Sequence, residues 1–160
     1  MDIGESVKIL GIDPGLATGL AIYNLETLKV EWVQETHDGV KGFKHRFLRD
    51  IRRVDSWSVE NFTLRSSNKF TADLHGVEII GWMKGEDYWG LNNPEPSQHM
   101  KITRLGTKDK KADSPITKLM QEADFPIGEG HCRMALSVAV WFAAMRLKHV
   151  PTLELLKPRD

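Results

Sequence analysis

The sequence predicts an α/β fold: one mixed five-stranded sheet, its first three strands antiparallel and its last two parallel, with helices on its flanks. Three observations carry this. An apolar run over residues 7–12 is closed abruptly by Asp13, Pro14 and Gly15. Two further stretches, TGLAIYN and LKVEWVQE, are rich in β-branched and aromatic residues and are joined by only the short LET. At Val40 the apolar spacing changes to intervals of three and four.

In chain order, residues 7–12 read as a buried strand ending in a turn, and 18–24 and 28–35 complete an antiparallel meander. Over 40–54 the apolar positions Val40, Phe43, Phe47, Leu48, Ile51 and Val54 describe an amphipathic helix, with Lys41, Lys44, Arg46, Arg49, Arg52 and Arg53 largely on its other faces. DSWSVENF, 55–62, is then a strand, and a helix between two strands favours its running parallel to the first. A second helix is expected over 71–84 and a fifth strand over DYWGLN, 87–92. Segment 93–114 reads as loop with one helical turn around PSQHMKI. Helices follow at 115–123 and 131–148, separated by the breaker-rich DFPIGEG. A single domain over 1–150 and a flexible tail over 151–160 complete the division, and the strand order is the ribonuclease H-like topology.

Composition narrows the function classes. At 160 residues with 41% apolar content, one domain with its own core is the default. The single cysteine, Cys132, excludes an internal disulfide framework, fits a reducing compartment and reads as a small buried hydrophobe. The start, MDIGESVK, lacks a signal-peptide design, and the longest apolar stretch, 134–145, is too short to span a bilayer, so a soluble cytoplasmic protein is expected. Lysine plus arginine equals aspartate plus glutamate at 22 each, so an argument for a polyanionic partner has to rest on where the charge lies.

Asp13 ends the first strand and Glu60 ends the fourth, its expected parallel neighbour. Two carboxylates side by side at the C-terminal edge of an α/β sheet repel unless a cation lies between them, and hard oxygen donors favour Mg²⁺ or Mn²⁺. Pro14 and Gly15 turn the chain away from Asp13, and Gly19 leaves room for a close approach, for which a phosphate is one visitor. The plainer alternative is an ordinary Asp-Pro-Gly turn beside an ordinary strand end. His131, in the first turn of the apolar final helix, is a third candidate; a cap or a satisfied core histidine is the alternative there.

Taken together and in this order, ILGIDPGLATGLAIYN, WSVENF and GHCRMALSVAVWF resemble the RuvC family of Holliday-junction resolvases, and in particular its compact bacteriophage-encoded branch. The resemblance covers about residues 7–148. It implies a homodimeric endonuclease of the ribonuclease H-like fold that binds four-way DNA junctions and hydrolyses phosphodiesters with two divalent ions, needs no nucleotide cofactor or membrane, and acts in the cytoplasm, that of a host if phage-encoded. By position it implies Asp13 as the acid bridging the ions, Glu60 as the fourth-strand acid and His131 as the final-helix residue lining the site. One turn beyond His131 the family pattern has an aspartate, and this chain has Met134, a soft neutral group that contributes almost nothing to Mg²⁺ binding. Glu129 or Asp124 is the replacement ligand to consider, or else the chain is a relative that binds branched DNA without cutting it. For DNA contact the basic helix over 40–54 and the stretch KITRLGTKDKK stand out, with Arg65, Lys69, Lys101, Arg104, Lys108, Lys110 and Lys111 as phosphate neighbours and Phe62 as a junction wedge. Pairing of two copies is expected through the helix near 71–84, by way of Leu74, Val77 and Ile80.

Overall fold

The computed structural model describes residues 7–60, 74–86, 88, 115–125 and 130–157. Strands β1 (Lys8–Asp13), β2 (Thr18–Asn24), β3 (Lys29–Thr36) and β4 (Ser56–Val59) form one sheet in the order β3-β2-β1-β4. β1 pairs antiparallel with β2, β2 antiparallel with β3, and β1 parallel with β4. Helices α1 (Gly39–Asp50), α2 (His75–Gly85), α3 (Pro115–Glu122), α4 (Gly130–Met145) and α5 (Val150–Leu155) make up the rest, with a 3-10 turn at Ile51–Arg53.

The expected sheet of five strands is corrected to four among the described residues. The proposed fifth strand, 87–92, lies outside them except for Tyr88, which is in no strand. The Tyr88 amide donates to the Met83 carbonyl at 2.8 Å, and its own carbonyl accepts from Trp57 Nε1 at 3.1 Å. Its ring packs edge-on against Phe47 and Trp57. Tyr88, one of the aromatics that signal a strand here, fills a cluster beneath α1 and α2 instead.

Every residue of β2 is buried, because its alternate side chains enter two different cores. Ile9, Ala21, Tyr23 and Val30 pack against α4 and α3; Leu10, Ile12, Leu20, Ile22 and Val59 pack against Phe43 and Phe47 of α1 and Ile79, Ile80 and Met83 of α2. The two helix layers approach the sheet differently. A Cβ on Gly11 would collide with the Ala135 carbonyl oxygen, and one on Gly19 with the His131 carbonyl oxygen, so α4 rests directly on the backbone of β1 and β2. On the other face two phenylalanine rings hold α1 away.

The chain from Pro151, expected to be loosely held, forms α5. A proline in the first turn of a helix gives up no hydrogen bond, and Pro151 starts this element rather than breaking the last one. Thr152 is fully buried, and its hydroxyl joins Tyr23 Oη at 3.0 Å and His149 Nδ1 at 2.7 Å. Among the described residues no helix is long and apolar enough to cross a membrane.

Candidate active site

Asp13 is the last residue of β1, paired across the sheet with Gly19. On the other side Ile12 is the partner of Val59, and the Glu60 amide donates to the Ile12 carbonyl at 2.9 Å, so the parallel ladder carries Glu60 level with Asp13. Strand alternation puts Gly11 and Asp13 of β1, Ser58 and Glu60 of β4, and Gly19 of β2 on the face covered by α4.

That helix brings the third residue. Because α4 is seated on Gly19, its first turn lies over the cross-strand neighbour of Asp13, and His131 Nδ1 meets Asp13 Oδ2 at 3.0 Å. The Asp13 side chain is 15% exposed and that of His131 52%, so the pair sits at the surface with the carboxylate largely enclosed. An ionised Asp13 only accepts hydrogen bonds, so Nδ1 carries the donated proton and, in the neutral ring, Nε2 is the acceptor atom. Gly19 thus has a use other than the one its type implies: the close approach is made by the α4 backbone, and no space for a phosphate remains over it. The chain reverses after Asp13 as expected, and the turn needs no left-handed glycine. Among the described glycines only Gly39, with φ of 58°, is left-handed. Gly15 is held by the Thr18 hydroxyl, which accepts from its amide at 3.2 Å and donates to its carbonyl at 3.0 Å.

Met134 is half-buried one turn after His131. Between them Arg133, fully buried, turns toward α3, where its guanidinium donates to Thr117 Oγ1 at 2.9 Å; burial pushes its pKa down from the usual arginine value. Sequence reasoning passed over this residue in calling the helix almost wholly apolar, although one arginine inside such a helix is the signal that finds it. Asp124, exposed and left-handed with φ of 59°, follows the end of α3, where its amide donates to the Gln121 carbonyl at 3.0 Å. Glu129, Phe62, Arg65, Lys69, Lys101, Arg104, Lys108, Lys110 and Lys111 lie outside the described residues.

Among the described residues no three His, Cys, Asp or Glu side chains form a group that could hold an ion. Asp13 and Glu60, level on neighbouring strands, nevertheless suit one hard cation of the Mg²⁺ kind, which binds through one or two carboxylates and completes its octahedron with water and phosphate oxygens. They do not supply a protein donor set for two.

The basic helix divides into two parts. Asp50 is 1% exposed and accepts from Arg46 Nε at 2.7 Å and from an Arg53 guanidinium nitrogen at 3.4 Å. Both guanidiniums also lie over the Trp32 ring of β3, at 4.8 Å and 5.3 Å from its centroid. Arg46 and Arg53 are therefore engaged in tying α1 to β3. Lys41, His45, Arg49 and Arg52 stay exposed.

No family model and no curated protein matches the chain. Solved structures do. Thermus thermophilus RuvC in complex with a Holliday junction substrate superposes with a TM-score of 0.62 at 16% identity, over 87% of this chain and 96% of that one. A second Thermus thermophilus RuvC structure gives 0.61 at 14% identity, over 89% and 98%. With the four-stranded mixed sheet and its flanking helices, this similarity over nearly the full length of both chains establishes that the protein has the α/β fold of RuvC.

Proposed function

We propose that the chain is a divalent-metal-dependent, structure-selective DNA endonuclease that resolves four-way junctions by phosphodiester hydrolysis. The observation that carries this reading is the meeting, at one edge of the sheet, of two level carboxylates, Asp13 and Glu60, with His131 hydrogen-bonded to the first. The fold shared with a junction-bound RuvC supports the substrate class.

Asp13 and Glu60 would hold a Mg²⁺ or Mn²⁺ ion. Such an ion, when bound, neutralises charge on the phosphate and on the departing oxygen. Asp13 fixes the His131 ring through Nδ1 and leaves Nε2 to accept a proton from water. The water oxygen bonds to phosphorus, its proton passes to Nε2, and the broken ester oxygen takes a proton from solvent. Asp13 also stabilises the imidazolium so formed. Two copies would be needed to cut both strands of a junction symmetrically; Leu74 just before α2 and Val77 within it, 53% and 42% exposed, support a pairing surface there.

A four-way junction with Mg²⁺ or Mn²⁺ is the direct test. Wild type is expected to cut it, and Asp13→Asn to lose on the order of a thousandfold in rate, several kcal/mol of transition-state stabilisation, while still binding the junction. A rate that is the same in Asp13→Asn, or in excess chelator, defeats the proposal. One observation favours a second reading, a branched-DNA binder that does not cut: half-buried Met134 occupies the helical position one turn beyond His131, where a further acid would complete the site. Binding without nicking in wild type, with cutting gained in Met134→Asp, establishes that reading instead.

A further inference from the structure

The outward face of α1 is unexplained by the site, by the core or by the Asp50 cluster. Lys41, His45, Arg49 and Arg52 follow one another at intervals of four, four and three, which keeps them on one side of the helix and the 3-10 turn that extends it. All four are exposed, and among the described residues none of their side chains takes part in a hydrogen bond or ion pair. The helix contains one acid, Asp50, and it is buried beneath Arg46 and Arg53. Lys41, Arg49 and Arg52 make the stripe net positive, and its exposed acids, Asp38 and Asp55, stand only beyond its two ends. A solvated helix face ordinarily mixes both signs.

Its placement adds direction. The Gly39 amide donates to the Leu16 carbonyl at 3.0 Å, so the first turn of α1 is fastened to the turn that follows Asp13. The stripe therefore starts at the end of the sheet that carries the carboxylates, on the face opposite the one α4 covers. It finishes at the opposite end, where the Asp55 amide, three residues past Arg52, donates to the Lys8 carbonyl at 2.9 Å.

We infer that this stripe is a contact strip for the sugar-phosphate backbone of duplex nucleic acid, on the face of the sheet opposite the one that carries the proposed nuclease site. At about 1.5 Å per residue the stripe is about 16 Å long, and at a rise of about 3.4 Å per nucleotide it spans roughly five phosphate steps. Contacts of this kind position a duplex without reading its sequence. An anionic membrane is the other polyanion a basic helix can meet, and the packing disfavours it. A helix lying in a bilayer interface inserts an apolar face, whereas the apolar face of α1, Phe43 and Phe47, is fully buried against the sheet.

The inference rests on the nuclease reading only in taking DNA as the polyanion, and its test separates the two. Binding of a labelled duplex to the full-length chain is followed by fluorescence anisotropy from about 50 to about 200 mM salt, the range over which phosphate contacts are lost. The double variant Arg49→Gln, Arg52→Gln is expected to reduce the slope of log K against log salt by about two and to weaken binding roughly tenfold or more near 0.1 M salt. Arg46→Gln, which disturbs the Asp50 cluster, should lower thermal stability and leave the slope alone. A slope identical to wild type in the double variant overturns the strip, and so does a loss of binding confined to phosphatidylserine vesicles. A chain that cuts no junction under any metal sinks the nuclease reading and leaves the slope measurement intact.

Discussion

The two helix layers use opposite means to hold one sheet. On the side of α4 there is almost no side chain between helix and strands: Gly11 and Gly19 let carbonyl oxygens of Ala135 and His131 approach the strand backbone. On the side of α1 the separation is filled by rings, with Phe43 and Phe47 stacked at 5.2 Å and Trp82 edge-on to both. The close layer leaves the helix little freedom to slide, and it is the layer that carries His131 to Asp13. The ring-spaced layer can adjust, and it carries charge on its outer surface. Rigidity is concentrated where a distance of 3.0 Å has to be kept, and electrostatic reach is placed where orientation matters less.

The sharpest way to break this contrast is to add one methyl group. Gly11→Ala drives a Cβ into backbone that cannot rotate aside, and it should cost about 3 kcal/mol, lowering the melting temperature by roughly 6 to 12 °C in a calorimetric scan. An alanine replacement on the ring-spaced side with a similar effect would show that the two layers are equally intolerant.

A smaller effect is expected from Arg46→Ala, which leaves the buried Asp50 carboxylate with only Arg53, at 3.4 Å. The expected loss is about 2 kcal/mol in denaturant unfolding, below the usual range for a buried pair because Arg53 persists. Arg53→Ala, whose side chain is half exposed, should cost well under that.

The smallest effect is a dependence on pH at the margin of the α4 layer. Burial holds the His149 imidazole below its ordinary value of 6.5, so the folded chain disfavours its protonation. Thr152 Oγ1 lies between Tyr23 Oη at 3.0 Å and His149 Nδ1 at 2.7 Å, and a protonated imidazolium leaves Nδ1 able only to donate to it. The stabilisation is complete above pH 6.5 and declines as pH falls through 6.5 toward the lower folded value. Thermal unfolding at several pH values should show this decline in wild type and a flatter profile in His149→Asn.

The order of the four described strands and the placement of Asp13 and Glu60 at their ends were legible in the sequence because both rest on β-branched and aromatic runs and on where an apolar run stops. β1, β2 and β4 end where the runs end, and a helix between β3 and β4 permits the parallel pairing that sets Asp13 level with Glu60. Gly19 was legible only as a missing side chain. What fills the vacated space depends on a helix more than 110 residues away, and no local pattern encodes it. The six bases of the helix over 40–54 read as one solvated group because a linear count of charge carries no burial, and it misses the burial of Asp50 beneath Arg46 and Arg53. Pro151 read as the start of a loose tail because a proline is equally a helix breaker and a helix starter, and tertiary docking at Thr152 decides between them.

The hydrogen bond between Asp13 and His131 joins positions 118 residues apart. A chain still emerging from the ribosome can form the meander and both strand-end carboxylates long before the partner imidazole has been synthesised. The carboxylate and imidazole pair is therefore the last part of the site to come into being, and it exists only once α4 has closed over the sheet. Such an order keeps incomplete chains from presenting the assembled carboxylate and imidazole pair during translation.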